Sequence, residues 1–216
     1  MAPPRTYAAG PGTLQRRLIQ ASADGDLRAF KRIATALDGG KGRIREAVEA
    51  VRDRGVRALH VAAGRGRIPV CAYMVEELHM DVNAADESGN TPLSHAVRAG
   101  NVGIVRYLLD HGADPNKPVD FECTSIHIAV GKGMCEMVEL LLSKGADVNF
   151  SSHCGAPLHI AAMENQDAAM KVLLDHGADI NKTHEALNCF SSLFTQEWLV
   201  VFDRQHASIM QTIVTI

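Results

Sequence analysis

The chain has 216 residues, 46% of them hydrophobic and 22% charged, proportions ordinary for a soluble folded protein and enough length to bury a full core in one domain or two. Its formal net charge of -3 provides no field that would recruit nucleic acid or an anionic membrane. No stretch approaches the roughly 20 apolar residues of a membrane span, and no apolar run follows Met1 to suggest a secretory signal.

Aromatics are scarce (one Trp, three Tyr, six Phe), which favours thin helical layers over one thick sandwich. Cys71, Cys123, Cys135, Cys154 and Cys189 form an odd, scattered set without a CxxC pair. They argue against a disulfide framework and for a reducing compartment, the cytoplasm or the nucleus. The Asn-x-Ser/Thr triplets at Asn149 and Asn181 therefore carry no weight as glycan sites.

In chain order, residues 1–13 are expected to be a flexible N-terminus, 14–184 a repeat array and 185–216 a non-repeat tail. The array opens with a degenerate copy in which Leu18, Ala21 and Gly25 are followed by Phe30 and Ile33. Its polar residues Gln15, Arg16, Arg17, Asp24, Asp26 and Arg28 suit the outer face of a terminal cap. A glycine-rich turn from Asp38 to Arg43 follows, then apolar residues at helical spacing, Ile44, Val48 and Val51, predicting an inserted helix near 44–52. Four further copies have their first core residue at Leu59, Leu93, Ile126 and Leu158, spaced by 34, 33 and 32 residues. Each has a small Ala three places on, at Ala62, Ala96, Ala129 and Ala161, where close helix packing is wanted. Gly66, Gly100 and Gly133 end the short first helix in three of them. A second helix with a Val, Met or Leu face follows, and Gly-Ala-Asp closes the unit at Gly112, Gly145 and Gly177.

This pattern resembles the ankyrin repeat over residues 54–184, and the resemblance implies an all-α solenoid of paired helices joined by β-turns, with about five repeats including the cap. More narrowly, the insert at Gly39–Gly42 and the long helix ending at Glu76–Asn83 resemble plant proteins that carry an N-terminal ankyrin array before a tetratricopeptide region, which this chain lacks. The tail contains no Gly or Pro but holds Trp198 and three of the six Phe, so the array reads as cut short by an alternative C-terminus. Apolar residues from Phe190 to Phe202 suit an amphipathic helix within 190–214, folded on the open end of the array; a disordered extension is the alternative.

The chemistry-bearing residues follow the repeat. The resemblance implies that His60, His127 and His159 hydrogen-bond backbone between neighbouring repeats. His111 and His176 stand at helix C-termini, and Asp81, Asp114, Asp147 and Asp179 at turns. No nucleophile is paired with a base and no ligand set for a metal is in sight, so neither catalysis, cofactor nor metal is expected. The resemblance places partner contacts on the turn tips and the groove beside the first helices: Arg65, Glu87, Ser88, Asn90, Arg98, Phe121, Cys123, Lys132, His153, Met163 and Glu164. Arg65, Arg98 and Lys132 would form an exposed basic stripe meeting Glu164, suited to an acidic protein segment. The expected function is a monomeric protein-interaction module or adaptor. Its rivals are a targeting or regulatory fragment of an enzyme complex, and a truncated isoform without a specific partner.

Overall fold

The computed structural model describes residues 11–119 and 122–180, and eleven helices occur among them. The first pair is α1 (Pro11–Asp24) and α2 (Leu27–Asp38). Gly25, at φ +81°, turns the chain between them, and the Asp26 carboxylate caps α2 by accepting from the Ala29 amide at 2.9 Å. Leu18, Phe30 and Ile33 are buried, while Gln15, Arg16, Arg17, Asp24, Asp26 and Arg28 stay exposed. This is the polar outer face an end repeat requires.

The insert is built around one acid. The buried Asp38 carboxylate accepts from the amides of Gly42 (2.8 Å) and Arg43 (2.7 Å) and so closes the glycine-rich turn. Helix α3 (Ile44–Glu49) is shorter than the expected 44–52. Val51 is buried all the same, because the chain bends there into an antiparallel hairpin of β1 (Arg52–Asp53) and β2 (Val56–Arg57). Apolar spacing recorded burial there, not helix length.

Four helix pairs follow: α4 (Ala58–Gly64) with α5 (Ile68–Ala72), α6 (Pro92–Arg98) with α7 (Val102–Asp110), α8 (Ser125–Gly131) with α9 (Cys135–Ser143), and α10 (Pro157–Met163) with α11 (Asp167–Asp175). After α5 the helix widens to a π turn over Tyr73–Glu77, in which the Leu78 amide donates to the Tyr73 carbonyl five residues back. The first helices stack in the order α1, α4, α6, α8, α10. Ala62, Ala96, Ala129 and Ala161 are fully buried in that stack, and Leu59, Leu93 and Ile126 lie buried with them. A larger side chain at the Ala positions would push the helices apart. No helix among the described residues is long and apolar enough to cross a membrane. The tail and its expected helix within 190–214 lie outside the described residues.

A second device joins the repeats at their far ends. Asn83 Nδ2 donates to the Gly112 carbonyl at 2.9 Å while its Oδ1 accepts from the Asp114 amide at 2.8 Å. Asn116 does the same to Gly145 and Asp147, and Asn149 to Gly177 and Asp179. Asp81, Asp114 and Asp147 each accept from the amide two residues on, the local turn that aims the following Asn.

Candidate interaction surface

The histidines lie where turns meet first helices. His60 Nε2 stands 3.0 Å from the Ala84 carbonyl and 3.1 Å from that of Asn90, so it carries the proton and donates to both. His127 Nε2 donates to the Gly155 carbonyl at 3.2 Å, while its Nδ1 accepts from the Thr124 amide at 3.1 Å and faces the Thr124 hydroxyl at 2.9 Å. These bonds tie α4 and α8 to the turn of the next repeat. Burial, aided by the nearby His95, lowers the His60 pKa to about 4, and burial lowers that of His127 to about 4. Both rings are neutral near pH 7 and serve as fixed struts.

In α6 Ser94 takes that helix position and the next residue, His95, faces the turn. Its Nε2 lies 2.8 Å from Asp86 Oδ2, and Asp86 Oδ1 accepts from the amides of Ser88 and Asn90 at 2.9 Å each. Burial pushes the Asp86 carboxyl up, but the hydrogen bonds from His95 and the two amides outweigh it and hold the group below its ordinary range. Asn90 in turn offers its Oδ1 to Arg98 Nη1 at 2.6 Å. Asp86, Asn90, His95 and Arg98 thus form one connected polar network beneath the turn.

Above it lies a cleft of about 620 Å³ lined by Asp53, Arg54, Val56, His60, Val61, Gly64, Arg65, His95, Arg98 and Ala99. The β1–β2 hairpin supplies one wall and the ends of α4 and α6 the other. Among the described residues no group of three or more His, Cys, Asp or Glu is placed to hold a metal ion.

A family model described as ankyrin repeats (3 copies) matches residues 18–119 and 117–184. The chain belongs to the ankyrin-repeat family. It is 35% identical over 109 residues to the B-cell lymphoma 3 protein homolog of Mus musculus, covering 50% of this chain and 24% of that protein. It is 35% identical over 97 residues to the transient receptor potential channel pyrexia of Drosophila melanogaster, covering 44% of this chain and 10% of the channel. A third match, 35% over 83 residues, is the 26S proteasome non-ATPase regulatory subunit 10 of Dictyostelium discoideum, covering 34% of this chain and 36% of the subunit. The chain therefore spans well under half the length of each of these relatives, sharing the repeats with them.

On this ankyrin array the expected contact residues separate into groups. Arg65, Glu87, Ser88, Lys132, His153, Met163 and Glu164 are exposed. Arg65, Lys132 and Glu164 each follow the last residue of a first helix and are repeat-equivalent; Arg98 is the last residue of α6, one place earlier. Arg98 is only half-exposed and holds Asn90, and Lys132 Nζ donates to the Arg98 carbonyl at 2.9 Å, so the basic stripe is partly built into the fold. Asn90 is a correction: at 5% exposure it faces inward, because its backbone and side chain complete the network under the turn. Cys123 is half-buried with Sγ 3.8 Å from the Ser152 hydroxyl, His153 lies 3.3 Å from the Glu122 carboxylate, and Phe121 is outside the described residues. Sequence reasoning missed Asp53 and Arg54. The signal was present: Gly55 stands four residues before Leu59, as Gly89 stands four before Leu93, marking Arg52–Gly55 as the first turn of the series.

Proposed function

We propose that this ankyrin array is a non-catalytic interaction module that receives an acidic segment of a partner protein across its turn tips and first-helix ends. Ankyrin repeats as a family mediate protein–protein interaction. The observation that supports the acidic character is the cleft, where Arg54, Arg65 and Arg98 line one recess with Asp53 the carboxylate among the described lining residues. The struts beneath are buried and hydrogen-bonded, so the surface is held in shape before a partner arrives, which lowers the ordering cost of association. The similarity to a proteasome regulatory subunit supports a second reading, a subunit that brings an enzyme to its target. A catalytic activity that copurifies with the array would distinguish it.

The test is a double charge reversal, Arg65→Glu with Lys132→Glu. Both side chains are exposed and the one bond lost, from Lys132 to the Arg98 carbonyl, is a surface bond, so stability should fall by no more than about 1 kcal/mol. Proteins retained by the wild-type chain and released by salt should no longer be retained by the variant. Equal retention of the same proteins would remove the acidic-partner reading. Arg98 is left intact because its guanidinium supports Asn90.

A further inference from the structure

The first turn differs from the others in its backbone. In the β1–β2 hairpin Arg52 pairs with Arg57 and Asp53 with Val56, leaving a two-residue loop of Arg54 and Gly55. Both loop residues have positive φ, +50° and +82°, the arrangement in which a right-twisted hairpin favours Asn-Gly. Glycine is required at the second place: a Cβ on Gly55 would come within 2.8 Å of the Glu87 Cβ, and the Glu87 amide donates to the Gly55 carbonyl at 3.3 Å. At the first place nothing in the fold requires arginine. A long cation is held there in the left-handed region, where Asn or Gly would sit at lower cost. Its side chain is 91% exposed, with the Asp53 carboxylate 3.9 Å from its Nε. Non-glycine residues in the left-handed region also occur at His79, Glu122 and Asn165, and of these four Arg54 is the one that lines the cleft.

Arg65 lines the same cleft at the end of α4; its backbone amide closes the helix, and its side chain makes no hydrogen bond or ion pair with the described residues. Two guanidiniums lining one cleft can each present planar N–H donors to the two oxygens of a carboxylate. A cleft of about 620 Å³ is large enough for an acidic side chain and the peptide residues beside it. Resting on the interaction-module reading above, we propose that this cleft is the anchor subsite of the array. It receives one Asp or Glu side chain of an extended peptide between Arg54 on the hairpin wall and Arg65 on the helix wall. Arg54 is therefore a specificity residue kept at some expense to the turn.

The test uses the full chain and a displayed library of random 12-residue peptides, followed by solution titration of a selected peptide. Selected peptides should share an acidic residue at one position, and its replacement by Gln or Asn should weaken binding about tenfold, the loss of one charge-assisted contact. Arg54→Asn should weaken binding by a similar factor while raising the melting midpoint, because Asn tolerates the turn better. Arg65→Gln should weaken binding with the midpoint unmoved, and Arg106→Gln, an exposed charge on α7 outside the cleft lining, should change neither. Peptides that bind without an acidic preference, or equally well to Arg54→Asn and Arg65→Gln, would overturn the subsite and leave the module reading standing. A chain that selects no peptide would overturn both. An Arg54→Asn variant that loses affinity only because its midpoint falls would show the arginine to be structural.

Discussion

His127 and His60 occupy the same helix position but differ in what caps them. Thr124 supplies its amide and hydroxyl to His127 Nδ1. At the equivalent place before His60 stands Arg57, which makes no side-chain cap, and both Arg57 Nε and His60 Nδ1 are buried without a hydrogen-bond partner among the described residues. Arg57→Thr would remove the orphan donor and bring a hydroxyl to the orphan acceptor. The expected gain is about 1 kcal/mol, read as a higher urea midpoint with an unchanged slope. A lower midpoint would show that the Arg57 stem packs better than a threonine caps. The same two histidines set an acid limit. Their pKa lies near 6.5 unfolded and about 4 folded, so the unfolded chain takes up protons first. The stability they contribute is complete above about pH 6.5 and is lost as the pH falls toward 4, by up to roughly 3 kcal/mol for each ring. Melting midpoints recorded from pH 7 to pH 4.5 should therefore fall steadily; a flat profile would contradict neutral, buried rings.

At the scale of elements, two kinds of joint hold the pairs together. Between first helices the joint is steric, set by four alanines with no exposed surface. Ala62→Leu, Ala96→Leu or Ala129→Leu should each cost about 1–3 kcal/mol by overpacking. Chemical denaturation measures this, and three unmoved midpoints would refute the stacking register. Between the outer ends the joint is polar. Asn116 bridges two repeats with bonds of 2.9 and 2.7 Å, and Asn116→Ala should lose about 1–2 kcal/mol by leaving the Gly145 carbonyl and the Asp147 amide without this partner. The alanines were readable from their recurrence three places after each core residue. The asparagines recur just as regularly, but recurrence alone does not say that Asn83 reaches Gly112, 29 residues away. That contact exists only once two repeats are stacked.

Across the described array, stability is a sum over neighbours, so position along the stack matters. Helices α6 to α9 have repeats on both sides and bury Leu93, Ile104, Leu108, Ile126, Met137 and Leu141 almost completely. In α10 and α11 Ala169 and Leu173, the counterparts of Met137 and Leu141, stay buried, but Leu158, the counterpart of Leu93 and Ile126, and Val172, the counterpart of Leu140, are only half-buried, and Met163 is 57% exposed. Amide exchange should consequently be slowest in α8 and α9 and faster in α10 and α11. Exchange followed by mass spectrometry would show the order, and equal or reversed protection would mean that stability is not passed from neighbour to neighbour.

The sequence by itself determined the repeat, its period, the buried alanines and the polar outer cap, and the family resemblance anticipated the bonds of His60 and His127 to the next turn. Each of these is a local pattern that recurs at fixed spacing, and recurrence at that spacing identifies a residue's place within the unit. The resemblance put Arg65, Lys132 and Glu164 at the turn tips and beside the first helices, and the structure exposes them just past equivalent helix ends. Only the tertiary structure decided that Asn90 faces inward, that Arg98 is partly committed to holding it, and that the insert ends in a hairpin rather than a longer helix. It alone brought Arg54 and Arg65 to one cleft. The physical reason is the same in each case: these positions break the repeat or depend on a partner in the next one. Their surroundings are set by stacking, which no single period of the sequence contains.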